Sequence, residues 1–520
     1  MDDEMPVLDA IDTTHGGVPL VAVVGGGCAG TLVAANLLRR SGGPLRVVMI
    51  ERSGRFGPGI AYATENPQHL LNVPARSMSA FSDEPSHFAD WAANRLGASA
   101  GAESYLPRGS YGEYLRAVLA DSQARARPQR TLQPLNGEVV GLHRTPAGIE
   151  LALADGHSIA CDRVVLATGP LQGPGIAQLP ADPRIVTDPW APGALHRIDD
   201  ALGGPGRCTG LTLIVGSGLT AVDVTLSITA QGGRVLALSR GGRLPYAQLP
   251  GLRAPAPPPV IPQGPATLAK LERAVTEYVT DVQYQGYDWR DGIDALRPLT
   301  PRLWAALAIG ERRRFLRERV RAWEIRRHRM APAVGRSLHE LLVSGHMTLW
   351  SGSVLAARTS NGSVEVDVVT RTSAVGASTE LETPPGDLGL VRTLACERVV
   401  VCTGAGTDIE CSANPLLRAL LASGDASPDP LGLGLQTDDD GALRDRNGDA
   451  DGRVLTLGAP RRGELWESTA VQEIRDQAEH VAHTIERSLH CSSGAGDRQL
   501  AAHTENRLNL TTRPPIPSGR

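Results

Sequence analysis

The feature that most constrains this chain is a glycine loop that occurs twice, each time between an apolar run and a stretch rich in small residues. Residues 18–24 lead into Gly25-Gly26-Gly27-Cys28-Ala29-Gly30, and Leu211–Val215 leads into Gly216-Ser217-Gly218-Leu219-Thr220-Ala221. A short apolar, β-branched run reads as a buried parallel strand, and the residues after each loop suit a helix against a sheet. In the first loop Gly25 makes the tight turn and Gly27 lets the backbone approach a pyrophosphate. Gly30 then lets helix and strand pack closely. The helix start would face the phosphates with free N–H groups and its positive dipole end. The second loop has Ala221 at the third position, where alanine is tolerated with looser packing.

What closes each second strand differs. The strand at 46–50 ends in Glu51, followed by Arg52, and a carboxylate there accepts hydrogen bonds from ribose hydroxyls. The strand at 235–239 ends with no acid, and Arg240 and Arg243 follow. Arginine there can pair with a 2′-phosphate, which favours NADPH over NADH for the second unit. The first unit is followed by VVLATG, with Thr168 and Gly169 in its turn, and the second by VVVCTG at 399–404. The expected architecture is α/β, three-layered, with two Rossmann-like dinucleotide-binding domains, one inserted into the other. Residues 18–205 and 405–489 would form the first domain and 206–404 the second. A flexible arm at 1–17 and a disordered tail at 490–520 would flank them.

At 520 residues the chain is too long for one core. A net charge of −4 gives no general reason to expect nucleic acid or an anionic membrane as partner. Lys270 is the sole lysine, so a phosphate clamp here must use arginine or backbone N–H groups. The seven cysteines are scattered without CxxC spacing or a Cys/His cluster, so no metal site is expected. The acidic start lacks the regions of a signal peptide, and the longest apolar stretch is interrupted by glycines. A cytoplasmic protein is the expectation, and self-association is compatible with the sequence. Residues 250–265 are Pro-rich, and 266–283 and 297–327 have helical periodicity, so a helical insertion at about 250–345 is expected. Its basic stretch at 311–329 reads as a solvated helix face. Strands are expected at 347–354, 364–369, 399–403 and 454–457, and a helix at 468–489.

With GGGCAG, GPGIAYAT (57–64), HLLNVPARSMSAF (69–81), LPRGSYGEYL (106–115), VVLATGPL, GSGLTAVD, RHRMAP (327–332), VVVCTG and RRGELWESTAVQEIR (461–475), the chain resembles a bacterial FAD/NAD(P)-binding protein family. That family is distantly similar to flavin-containing and N-hydroxylating monooxygenases. The resemblance implies FAD on the first unit, with residues 57–62, including Tyr62, and Asn72 near the isoalloxazine. The turn before the C-terminal helix would also lie there. In many related flavoproteins that turn reads Gly-Asp; here it is Gly458-Ala459, and Trp466, Glu467 and Ser468 precede the helix. Asn72 and Trp466 are the candidates for steering the reaction, with Tyr62 and His69 beside them.

The resemblance implies an FAD-dependent, NADPH-consuming monooxygenase acting on a small molecule with O2. The alternative is a flavoprotein reductase passing electrons to a partner or small acceptor. A disulfide reductase would need a dithiol facing the flavin, and Cys396 and Cys402 match no redox motif. Phe81, His87 and Trp91 have the spacing of a Baeyer–Villiger fingerprint, but Asp83 replaces its glycine. A helix start capped by Ser82 or Asp83, with His87 and Trp91 on one packed face, is the better reading. Arg297, Arg326 and His328 in the insertion are candidates for an acidic substrate or for a solvated face.

Overall fold

Both apolar runs that precede the glycine loops are central strands of parallel sheets. The computed structural model describes residues 17–508 except 172, 174, 192, 195–209, 252, 261–263, 265, 361, 371–388 and 407, and gives only the backbone for 491–508. Strand β1 (Leu20–Val24) is buried throughout and pairs in parallel with β2 (Leu45–Glu51) and β7 (Arg163–Leu166). Adding β3 (Arg130–Asn136), β15 (Ala442–Arg444) and β16 (Ala450–Thr456) gives the order β15-β16-β7-β1-β2-β3, in which only β15 runs antiparallel. Strands β4 (Val139–Thr145), β5 (Gly148–Leu153) and β6 (Ser158–Cys161) form a separate antiparallel meander.

Alternation along β1 builds two cores. Val21 and Val23 pack with helices α1 (Cys28–Arg39) and α3 (Arg108–Ala124) and with the C-terminal helix. Leu20, Ala22 and Val24 face the meander and the helix Pro415–Ser423 on the other side. One strand thus divides its side chains between two layers. Helix α2 (His87–Leu96) starts after Ser86, whose side chain makes no cap bond. Ser82 and Asp83 do not cap it as expected: their side chains face Glu479 and Arg39 instead. His87 and Trp91 do share a packed face, with the His87 ring 2.7 Å from the Tyr114 hydroxyl and Trp91 edge-on to the Tyr114 ring.

The second sheet has the order β13-β12-β11-β10-β9-β14-β8. Strands β8 (Ile185–Val186), β9 (Leu211–Val215), β10 (Arg234–Ser239) and β14 (Arg398–Val401) are parallel, as is the pairing of β10 with the start of β11 (Met347–Ser360). From there β11, β12 (Ser363–Thr370) and β13 (Leu390–Cys396) form an antiparallel edge. Helix α4 (Leu219–Ala230) follows the second glycine loop. The insertion contributes α5 (Leu268–Tyr284), α6 (Trp289–Leu296), α7 (Thr300–Ala306), α8 (Ile309–Glu318), α9 (Val320–Arg327) and α10 (Pro332–Val343). After α11 (Pro415–Ser423) come α12 (Arg462–Leu465) and α13, Val471–Leu508, whose backbone continues past residue 489, where the pattern placed its end. Helix formers at 499–502 resume after the weak Ser/Gly stretch at 492–496. The expected arm at 1–17 lies, save Gly17, outside the described residues, as do residues 509–520 of the expected tail.

Candidate functional site

The two glycine loops are anchored alike. The Gly25 N–H donates to the Ile50 carbonyl at 2.8 Å and the Gly216 N–H to the Leu238 carbonyl at the same distance. Gly25 and Gly216 adopt φ of 111° and 127°, and a Cβ on either would collide with the carbonyl oxygen of Ala167 or Cys402. A Cβ on Gly30 would strike the Gly25 carbonyl oxygen, while Ala221 is accommodated in the other unit. Gly27 and Gly218 cap helices α1 and α4 with extended backbone, no side-chain cap bond and no acid in the first turn. Each helix therefore offers uncapped N–H groups at its positive end.

Around the first loop, Glu51 Oε2 accepts from the Gly26 N–H at 2.9 Å and Oε1 accepts from the Ser53 N–H. Arg52 is exposed and 3.5 Å from Glu138. Residues 57–59 fold back on the loop, with the Gly57 N–H donating to the Gly26 carbonyl. Cys28 and Ala29 open helix α1, and Tyr62 lies edge-on to Tyr111 at 4.7 Å. Burial pushes the Cys28 thiol up to about 12, so it is no nucleophile. At the end of β7 the Thr168 hydroxyl is buried without a partner, and the space beside Gly169 is open.

Around the second loop, nothing lies within 4 Å of a Cβ built on Gly218. Thr220 sits in the first turn of α4. Arg240 and Arg243 follow β10, exposed, and no acidic side chain pairs with either among the described residues. The sequence reading missed Arg321, which reaches from α9 to donate to the backbone carbonyls of Ser217 (3.0 Å) and Arg243 (2.8 Å). Ser217, buried, donates to the Arg243 carbonyl at 2.7 Å. The insertion thus braces the loop. Nothing in the spacing of a basic helix marks which arginine does so.

The basic stretch divides rather than forming one solvated face, which corrects the expectation. Arg314 and Arg317 face solvent, whereas Arg321, Arg327 and Arg329 turn inward. Arg329 is 1% exposed and bridges Asp294 at 2.6 Å. Arg297 pairs with Glu473 at 2.5 Å, Arg327 with Glu467 at 3.1 Å and Arg462 with Glu324 at 3.3 Å. The last three pairs bolt the insertion to α12, to the turn at Glu467 and to the start of α13. Burial among Arg327, Arg462, Arg297 and Arg329 pushes His328 down to about 3, so it is neutral and offers no charge to an anion.

That turn is the strained point of the backbone. Among the described residues Trp466, at φ 60°, is the only non-glycine with positive φ, and such outliers persist where surrounding packing over-determines them. Trp466 stacks on Trp304 at 4.9 Å and meets Phe315 edge-on, while the Trp304 N–H donates to the Gly463 carbonyl. Beside it, buried and without partners, are Glu467 Oε1, the Ser468 hydroxyl and Arg327 Nε. Gly458, at φ 74°, donates its N–H to Gln477. Trp466 also closes one wall of a cavity of about 780 Å³ between α5, α6, α7, α8 and α9. Asn72 is half-buried with no hydrogen-bond partner among the described residues, and no ring contact or hydrogen bond joins it to Trp466.

His69 is buried against α4. Its ring is 2.7 Å from the Thr64 hydroxyl and 2.8 Å from the Ser227 hydroxyl on α4, and 3.2 Å from the Asp223 carbonyl. Arg108 at the start of α3 bridges Asp223 at 2.9 Å. Burial, aided by Arg108, pushes His69 down to about 4; burial raises Asp223 to about 6 against the pull of Arg108. This cluster joins the first sheet's helices to α4.

Two largely parallel sheets, each with an uncapped glycine-loop helix at the end of a central strand, define an α/β fold of two Rossmann-like units. Residues 22–171 match a family model described as FAD-NAD(P)-binding. No curated protein matches the chain. Among solved structures it is similar to the ornithine N-hydroxylase of Kutzneria sp. 744, solved with reduced FAD, NADP+ and L-ornithine. The identity is 15%, the match covers 91% of this chain and 99% of that one, and the TM-score is 0.56. It is similar, too, to the FAD-bound cadaverine monooxygenase of Erwinia amylovora (12% identity, 89% and 94% covered, TM-score 0.55). The bacillithiol disulfide reductase of Staphylococcus aureus shares the fold at 12% identity, with 91% and 98% covered and a TM-score of 0.50. The fold is therefore α/β with two Rossmann-like units, as expected. No helix among the described residues is long and apolar enough to cross a membrane, and no group of three potential metal ligands occurs among them.

Proposed function

We propose that the chain is an FAD-dependent, NADPH-consuming monooxygenase that oxidises a small molecule with O2. The observation that carries the reading is the pair of uncapped loop helices on separate sheets, in a chain whose fold follows an ornithine N-hydroxylase and a cadaverine monooxygenase over nearly its whole length. Residues 18–205 and 405–489 are assigned to the FAD unit and 206–404 to the NADPH unit, save that β8 (Ile185–Val186) pairs with β14 and belongs with the second sheet.

The residues fit both cofactors. For FAD, Gly25, Gly27, Cys28, Ala29 and Gly30 would present backbone to the pyrophosphate. Glu51 would turn its carboxylate to the ribose, with Arg52 beside it. Tyr62, Thr168, Gly169, Gly458 and Ser468 would line the rest, the unpartnered hydroxyls of Thr168 and Ser468 finding acceptors or donors there. For NADPH, Gly216, Ser217, Gly218 and Thr220 would hold the pyrophosphate, and Arg240 and Arg243 the 2′-phosphate. Bound FAD supplies the hydride acceptance and oxygen chemistry. The chain's own part is to bind, orient and exclude water. The N-terminus of α13 sets a positive dipole end behind Ser468, where negative charge on a reduced ring would be stabilised. Trp466 and its aromatic neighbours keep that end dry, and Asn72 is assigned a steering role through its uncommitted amide.

A dithiol reductase finds no support. The described cysteines are free, and burial pushes Cys396 up to about 12 and Cys402 above the ordinary thiol range. Free thiols are compatible with a reducing cytoplasm. The test is NADPH oxidation followed together with O2 uptake. A monooxygenase shows substrate-stimulated consumption of both, whereas transfer to an artificial acceptor without coupled O2 use would replace this reading with the reductase one.

A further inference from the structure

We infer that the cavity of the helical insertion takes a bulky, apolar, ring-bearing molecule without a cationic end, and that this molecule is the substrate of the oxidation proposed above, on which the inference rests. At about 780 Å³ the cavity has the size of a small-molecule site. Its wall is unusual for this chain. Aromatics make up 4% of the sequence, yet four of its seven tryptophans, Trp289, Trp304, Trp323 and Trp466, line this one space with Phe315 and Tyr246. Such side chains offer large apolar area and edge or stacking contacts to a ring.

The charges point the same way. The one carboxylate in the lining, Glu272, is held by Arg319 at 2.7 Å, and the other charged group there is Arg326. An ammonium group entering would lose its water and find no uncommitted carboxylate, a costly burial. Ornithine and cadaverine each carry such ends, so this lining departs from what those enzymes' substrates require. A neutral ring meets no such penalty. The wall ends at Trp466, next in the chain to Glu467 and Ser468, so the cavity abuts the end assigned to the flavin ring.

The test uses the purified holoprotein and anilinonaphthalenesulfonate as probe, with indole, L-ornithine and cadaverine as competitors. Saturable probe fluorescence, displaced by indole and by neither amine, is expected. Leu303→Trp, which intrudes on the cavity, should weaken probe binding at least about tenfold, or about 1.4 kcal/mol, with flavin content unchanged. Should that variant fail to fold, Val275→Trp, on α5 in the same lining, repeats the measurement. Displacement by ornithine or cadaverine, or probe binding unmoved by both fillers, overturns the inference. So does a concentration-dependent dimer that excludes the probe, since a second copy would then cover the cavity. Protein purified without flavin would defeat the proposed oxidation while leaving the binding result intact.

Discussion

Gly218 separates two roles a glycine can have. Gly25 cannot accept a Cβ without hitting Ala167, so its replacement damages the fold; Gly218 can, because nothing lies within 4 Å. Gly218→Ala should therefore melt with the parent chain while raising the KM for NADPH about tenfold, equivalent to roughly 1.4 kcal/mol. Steady-state kinetics beside a thermal melt checks this, and an unchanged KM would remove Gly218 from the nucleotide site. Arg240 and Arg243 carry the companion prediction. The double change Arg240→Ser, Arg243→Ser should lower the preference for NADPH over NADH, read as the ratio of kcat/KM values, without loss of flavin. These positions were legible in the sequence because strand, loop and closing residue are contiguous. Arg321 was not, because its contact with Ser217 spans residues far apart in the chain.

Between elements, the seams rather than the strands depend on chemistry that periodicity hides. His69 is held neutral between Thr64 and Ser227, with its pKa lowered from 6.5 to about 4. Below pH 6.5 the unfolded chain binds a proton that the folded one refuses, so this contribution is intact above 6.5 and lost as pH falls toward 4. The stability difference between the chain and His69→Gln should shrink across that window by up to about 3 kcal/mol. Comparison with the variant is needed because Asp223, raised to about 6, acts in the opposite sense: it favours the fold at low pH and ceases to as pH rises through 6. A pH-independent difference in urea melts would show that His69 titrates normally. At the insertion's seam, Arg327→Met leaves Glu467 buried and unpaired and should cost about 3–5 kcal/mol. Arg314→Ala, in an exposed pair, should leave the midpoint unmoved. Helices of the insertion were readable from periodicity. The inward turn of Arg327 and Arg329 was not, since hydrophobic pattern alone treats every arginine as solvated.

At the scale of the whole chain, one architecture repeats with different endings. Both sheets place an uncapped helix at the end of a buried central strand, and the insertion joins them: Arg321 braces the second loop, and the Arg297, Arg327 and Arg462 pairs hold the turn that leads to α13. The doubled unit was visible in the sequence from the two loops and their returns. The aromatic cavity was not, because its tryptophans are scattered from 289 to 466 and converge only when the insertion folds onto the C-terminal turn. The central claim is that one chain holds FAD and lets NADPH reduce it. The most direct measurement is an anaerobic titration of the purified protein with NADPH, followed by the flavin's visible absorbance. A bound flavin that bleaches with one equivalent of NADPH, and far less readily with NADH, is the predicted result. Protein that purifies without flavin and binds none when FAD is added, or a flavin that NADPH cannot bleach, would contradict it.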